Sequence, residues 1–317
     1  MASISEADPL HYAVNLRRND LVEEALESGV DVNSRTRTGV TPLMVAAENG
    51  YNDLVELLIE SGAKVDARSR ASSITEGRLT ALHLAVEEGH LDTCTLLLEK
   101  GADPNALSQY GLTPLNEALR RKNHLIALSL LQAGADPNGP DKCSEPPLVT
   151  VARENDLLML RELLKRGADP NRVGRNADSA LAMTTSVHCA KALLSHGADV
   201  NARNSQGKTV LIANTQIGSV DLLGCYLDAG ADVNAKDNEG YTALMRLTSD
   251  PRIEVAELFL KAGADINAMV EPGVSVLDYF SGDWRGTAAC RIRRKELAEF
   301  LRSKGAKTAK EINPRGS

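Results

Sequence analysis

A glycine recurs along the chain as Gly29, Gly62, Gly101, Gly134, Gly167, Gly197, Gly230, Gly263 and Gly305, in steps of 33, 39, 33, 33, 30, 33, 33 and 42 residues. It opens a phrase that returns with it, seen in full as GADVNAKDNEGYTAL from Gly230 to Leu244. One period running through 317 residues means one small unit built many times. A unit of that length cannot bury its apolar face alone, so successive units must stack on a shared core. Length by itself suggests two domains; the unbroken period points to a single array.

The recurring residues describe the unit. Thr41, Thr80 and Thr113 each precede an apolar run, where a hydroxyl can accept from an otherwise unpaired amide of a first helical turn. Pro42 and Pro114 follow, giving up an amide that had no partner in any case. Leu-x-x-Ala-Ala then places small side chains at Ala46 and Ala47, where a neighbouring helix must come close. A second helix is predicted from Leu54 to Ile59, apolar at helical spacing, with Asp53, Glu56 and Glu60 on the other face. The glycine ends it in a left-handed conformation. Asp-x-Asn and the next glycine supply turn chemistry for a projecting hairpin, or finger.

A 33-residue period with a Thr-Pro-Leu-His-x-Ala-like helix start resembles the ankyrin repeat. Thr41-Pro42-Leu43 and Thr113-Pro114-Leu115 keep that opening, Thr80-Ala81-Leu82-His83 keeps it with Ala for Pro, and Gly-Ala-Asp-x-Asn closes six units. The resemblance implies an all-α ankyrin-repeat solenoid of about nine units over residues 8–307. An N-terminal cap unit at 8–33 opens on Asp8-Pro9-Leu10-His11, seven internal units fill 34–270, and a C-terminal cap unit occupies 271–307. Residues 308–317 read as a tail, and the closing Pro-Arg-Gly-Ser has the look of a cloning remnant.

Four places depart from the pattern. One finger carries six extra residues around 69–76, either a tolerated surface loop or part of a contact. Pro146-Pro147 replaces Thr-Pro, so a first helix loses its capping hydroxyl. The next unit is three residues short between Thr185 and Ala190, which demands a tight turn or a truncated helix. Nine residues are inserted around 281–290, including the only tryptophan, Trp284, ahead of a polar capping helix from Arg291 to Leu301. The stretch from Pro146 to Ala190 is expected to be the weakest.

Composition suits thin layers of Leu and Ala: 43% of residues are apolar and only 3% aromatic. A net charge of -7 argues against general nucleic-acid binding through a basic face. No apolar run reaches the roughly 18 residues that span a bilayer, and MASISEADPL lacks the layout of a signal peptide. A cytoplasmic protein is expected, or an exported one if a leader was trimmed or the chain is a bacterial effector. Five cysteines, an odd number without a C-x-x-C pair, read as reduced and mostly buried thiols.

The search for chemistry returns decoys. Ala202 to Thr209 matches a relaxed phosphate-loop pattern with Lys208 in the lysine slot, but that loop requires a strand leading in and a helix leading out. Here the same residues form an ordinary finger-to-helix joint with Thr209 as its cap. His11 and His83 fill the histidine slot of the repeat and are expected to be structural hydrogen-bonders, while His90, His124, His188 and His196 are dispersed without metal-ligand spacing. No nucleophile and base pairing stands out. The expectation is a protein that is not an enzyme, with no cofactor and no metal.

The resemblance implies that binding belongs to the concave face, made of fingers and the exposed ends of first helices. Variable slots there include Arg37, Glu48, Tyr110, Arg120, Arg121, Lys142, Cys143, Arg153, Ser249 and Asp250. Glu117 and Arg246 place charge where sibling units have Val45, Leu84 and Met183. The early fingers carry Arg35, Arg37, Arg68, Arg70 and Arg78 against only Asp66 and Glu76. That segregation of sign creates a local positive field suited to an acidic segment of a partner protein. The alternative is a ligand or nucleotide sensor with a pocket at Tyr110, Arg120 and Arg121. The chain is expected to act as a monomer.

Overall fold

The computed structural model describes residues 8–70, 77–140, 145–247, 251–270, 273–282 and 288–314. Most of the 69–76 insertion, Trp284 with residues 283–287, and Lys142, Cys143, Ser249 and Asp250 lie outside the described residues. The chain divides into two compact units, Met1–Thr150 and Val151–Ser317.

In the first unit the predicted alternation of first and second helices is present. The first helices are α1 (Pro9–Asn15), α3 (Pro42–Glu48), α5 (Ala81–Glu88) and α7 (Pro114–Arg120). The second helices are α2 (Asn19–Glu27), α4 (Asn52–Glu60), α6 (Leu91–Glu99) and α8 (His124–Gln132), and α9 (Pro147–Arg153) begins at the end of the unit. First helices pack on first helices, α1 on α3, α3 on α5 and α5 on α7, while α4, α6 and α8 form a parallel row. Ala46, Ala47 and Ala85 are wholly buried where these rows approach. On α4, Leu54, Val55 and Leu58 are buried, with Asp53, Glu56 and Glu60 exposed.

The helix starts use the expected caps. Thr41 Oγ1 accepts from the Met44 amide at 3.3 Å, Thr113 Oγ1 from Asn116 at 3.2 Å, and Asp8 Oδ1 from Leu10 at 3.0 Å. Pro146 has no such group; its carbonyl accepts from the Val149 and Thr150 amides at the start of α9.

One class of side-chain contact joins successive repeats. At the end of the Gly-x-Asp-x-Asn phrase, Asn33, Asn105, Asn171, Asn201 and Asn234 clasp the next repeat. Asn33 Nδ2 donates to the Gly62 carbonyl at 3.1 Å while its Oδ1 accepts from the Lys64 amide at 2.8 Å. Asn105 does the same with Gly134 and Asp136. The Asp two residues earlier holds this side chain's backbone in an Asx-turn, Asn33 N to Asp31 Oδ1 at 2.9 Å. His11 and His83 are structural as expected, their Nε2 atoms bonding the Val40 and Leu112 carbonyls 29 residues on.

The second unit holds α10 (Leu157–Lys165), α11 (Ala180–Met183), α12 (Val187–Ser195), α13 (Val210–Asn214), α14 (Val220–Asp228), α15 (Ile253–Lys261), α16 (Val276–Ser281), α17 (Ala288–Ser303) and α18 (Ala309–Ile312). A two-residue hairpin, β1 (Met269–Val270) against β2 (Val274–Ser275), precedes α16. The Asn clasp continues: Asn171 to Gly197 and Asp199, Asn201 to Gly230 and Asp232, Asn234 to Gly263 and Asp265.

The short repeat truncates its first helix to the single turn of α11. Its link to α12 is then fastened by Asn155, whose Oδ1 accepts from Thr184 Oγ1 at 2.7 Å, the Thr185 amide at 2.9 Å and the Ser186 amide at 3.0 Å. In the repeat of Thr242, Ala243–Leu247 forms turns rather than a helix.

Two sequence expectations need correction. The segment after Lys307, expected as a tail, includes α18: Thr308 caps it, Ala309 is buried, and the Ala309 amide donates to Asp278 Oδ2 at 2.6 Å. Of the four described cysteines, Cys94 and Cys189 are buried but Cys225 and Cys290 are half-exposed. Burial pushes the Cys94 thiol up to about 12.

Candidate partner-binding surface

The early fingers stack tip to tip. The Arg70 amide donates to the Thr38 carbonyl at 2.8 Å and the Gln109 amide to Gly77 at 2.9 Å. Gly39 is required there: a Cβ on it would meet Arg70 Cγ and N at 2.7 Å. Arg35, Arg37, Arg70 and Arg78 are exposed on these fingers and Arg68 is half-buried. Arg35 and Arg68 bond backbone carbonyls of these fingers. Arg35 Nη1 donates to the Gly39 carbonyl at 3.2 Å and to the Arg68 carbonyl at 2.7 Å, and Arg68 Nη1 reaches the Leu107 carbonyl at 3.4 Å. In the second unit Arg203 bonds the Lys236 carbonyl, and Lys236 Nζ bonds that of Met269 at 3.1 Å. A basic residue at this slot therefore ties its finger to the next, a role visible in the sequence only as a recurring cation.

Below the fingers the ends of the first helices are acidic. Glu48 and Glu88 are exposed and Glu87 half-buried. Partial burial, then Glu88 and Glu87, raise the Glu48 carboxyl above its ordinary range. Arg120 and Arg121 both turn onto Glu117, which is only 9% exposed: Arg121 Nε lies 2.5 Å from Glu117 Oε1 and Arg120 Nε 3.3 Å from Oε2. Arg121 also reaches Glu87 at 2.8 Å. The hydrogen bond to Glu117 holds the Arg121 guanidinium above its usual pKa.

The second odd charge has a comparable explanation. Arg246 binds Asp237 through Nε at 2.9 Å and Nη2 at 2.5 Å, and Glu239 at 2.8 Å, with its guanidinium 4.3 Å over the Tyr241 ring. The other oxygen of Asp237 accepts from the Glu239 and Tyr241 amides. Arg246 thus locks its own finger. Arg153 lies in the second unit, exposed, with Nη2 at 3.5 Å from Met183 Sδ. Lys208 sits in a finger whose hairpin is closed by Asn204 N to Lys208 O at 3.0 Å, with Thr209 capping α13.

A model of ankyrin repeats matches the chain over residues 3–69, 69–141, 115–204, 148–237 and 182–270. The chain belongs to the ankyrin-repeat family. Its fold is the all-α ankyrin-repeat solenoid. Among curated proteins nothing matches. The ankyrin-repeat domain of human ASB11 is similar at 24% identity and a TM-score of 0.54, covering 71% of this chain and 99% of that one. The ankyrin-repeat domain of Bcl-3, a member of the IkappaB protein family, is 27% identical with a TM-score of 0.58, covering 69% of this chain and 98% of that one. Ankyrin-repeat domains are generally protein-protein interaction modules and typically not enzymes. Among the described residues no helix is long and apolar enough to cross a membrane.

Within this ankyrin array, Tyr110 stands 60% exposed at a finger tip. The cavity next to Glu117 measures about 10 Å³ and is lined by Leu79, His83, Glu87, Ser108, Leu112 and Glu117. It holds no more than a water. Arg120 and Arg121 are neutralised by carboxylates, so the positive charge that a nucleotide phosphate would need there is offset.

Proposed function

We propose that this ankyrin array is a non-catalytic, monomeric binding protein that holds an acidic segment of another protein against the fingers of its first unit, in the cytoplasm. The observation that carries the reading is the group of exposed arginines, Arg35, Arg37, Arg70 and Arg78, on fingers stacked by backbone hydrogen bonds, in a chain of net charge -7. Guanidinium forks pair with carboxylates through two parallel hydrogen bonds, and the stacked finger backbone that carries them is already ordered, which lowers the cost of binding. Their field speeds the approach of a negative partner. The acids Glu48 and Glu88 at the helix ends below supply repulsion that restricts an acidic segment to the fingers.

Because Arg35 and Arg68 also tie fingers together, reversing them would mix stability with recognition. The test therefore reverses Arg37, Arg70 and Arg78 to Glu in the full chain and checks that Tm is kept. Proteins captured from the native source by wild type and variant are then compared at low and moderate salt. Binders that fall at least tenfold in the variant and weaken with salt in the wild type are the expected result. An unchanged set of captured proteins at both salts would move the site away from these fingers.

A further inference from the structure

Among the second helices of the first unit, one outer face changes character. Counted back from the glycine that follows each helix, α2 and α4 place carboxylates at the same three slots, Asp20, Glu23 and Glu27, then Asp53, Glu56 and Glu60. In α8 those slots hold Leu125, Leu128 and Gln132. Core packing does not ask for these two leucines, because the buried residues of α8 are Ile126, Ala127, Leu130 and Leu131. Leu125 is 63% exposed and Leu128 half-buried. An acid in the first turn would also complement the helix dipole, and Leu125 gives that up.

The two leucines line an open groove of about 490 Å³ between α6 and α8. From α6 come Leu91, Asp92, Thr95, Leu96 and Glu99, a single face of that helix. Leu91 and Leu96 are half-buried, so four leucines of one groove are open to solvent. Scattered single ones would need no explanation. Between the helices the Thr95 and Ser129 hydroxyls meet at 3.4 Å. The acids of α6 have no counterpart across the groove. In the preceding pair of helices Lys100 bridges back to Glu56 at 3.2 Å and to Glu60 at 4.0 Å. The slot of Lys100 is taken in the next repeat by Ala133. Among the described residues neither Asp92 nor Glu99, both exposed, has an ion-pair partner.

We propose that this groove docks an amphipathic helix of a partner protein, with Leu- or Phe-sized side chains on its apolar stripe and Lys or Arg along one edge. The leucines match the stripe. Asp92 and Glu99, seven residues and so about two turns apart on α6, match cations at the same spacing. A helix pairs its own backbone groups, whereas α6 and α8 offer an extended chain no free sheet edge to bond. The groove shares no residue with the finger surface, and either reading can fail without the other.

The test titrates the full chain, by fluorescence anisotropy, with a labelled Leu-Lys peptide of about four helical turns whose leucines fall at helical spacing. A Leu-Glu peptide of the same spacing and a Leu-Lys peptide of the same composition in alternating order are the controls. Leu125→Gln with Leu128→Gln removes the apolar wall without adding charge. Asp92→Asn with Glu99→Gln removes the acids, and Glu23→Gln with Glu27→Gln removes equal charge on α2. The Leu125 and Leu128 methyl signals are followed by NMR. The expected result is saturable one-to-one binding that shifts both methyl signals, with each control peptide at least tenfold weaker. Affinity should fall at least tenfold in the leucine pair and at least threefold in the acid pair, and stay within twofold in the α2 pair. The peptide comparison needs only the wild type, so it decides even where a variant loses its Tm. Absence of saturable binding, equal binding of the alternating peptide, equal loss in the acid and α2 pairs, or self-association of the chain that Leu125→Gln abolishes would overturn it.

Discussion

Asn33, Asn105, Asn171, Asn201 and Asn234 each satisfy a carbonyl and an amide of the following repeat. A side chain that both donates and accepts is needed, which Asn has and Asp lacks. Asn201→Ala should cost about 1 kcal/mol in urea unfolding, the net worth of two solvent-exposed hydrogen bonds; an effect under about 0.5 kcal/mol would mean that water replaces the clasp. Lys208→Ala, in a finger closed by backbone bonds, should change stability by less than about 0.5 kcal/mol, and the wild type should show no ATP binding by calorimetry. Micromolar ATP affinity lost in that variant would restore the phosphate-loop reading. At Asp278, burial opposes ionisation, but hydrogen bonds from Ser275 and the Ala309 amide outweigh it and hold the carboxyl below its ordinary range. A depressed folded pKa contributes stability that is present above the unfolded pKa and lost as pH falls through the folded one. Stability at the C-terminal end should therefore decline as pH drops below the ordinary carboxylate range. Asp278→Asn should flatten the dependence of Tm on pH there, and an unchanged slope would remove Asp278 from the account.

At the scale of elements, the caps were legible because each Thr binds an amide only three residues away, and that geometry is contained in the local sequence. The shortened repeat was legible as a defect and not as a repair. The three missing residues show where chain is lacking, but the three donors gathered by Asn155 Oδ1 come from residues about 30 positions on. Asn155→Ala should strip all three and destabilise α11 and α12 by about 1–2 kcal/mol, since the three hydrogen bonds are largely solvent-exposed. Hydrogen exchange checks this: amides of Val187–Ser195 should exchange faster in the variant, while those of Asn52–Glu60 stay unchanged. Even in the wild type, the single turn of α11 and the start of α9, where Pro146 offers no side-chain oxygen, should exchange before Pro42–Glu48.

For the whole molecule, repeat stability approximates a sum of local and nearest-neighbour terms. Asn33→Ala and Asn234→Ala sit in different units, so their unfolding costs should add within about 0.5 kcal/mol. A larger coupling energy in the double variant would show that the array communicates beyond neighbouring repeats. By itself the sequence determined the period, the helix pair of the regular repeats, the caps, the solvated faces of the second helices and the ankyrin family. Those follow from spacing and short-range hydrogen bonding, which one repeat of the chain already contains. The tertiary structure decided which charges are spent. Arg121 with Glu87, Arg203 with the Lys236 carbonyl, and Arg35 with the Arg68 carbonyl each look like surface charge in one dimension. Whether a charge faces solvent or a partner depends on the residue stacked beside it from another turn of the chain, and only three-dimensional packing supplies that neighbour.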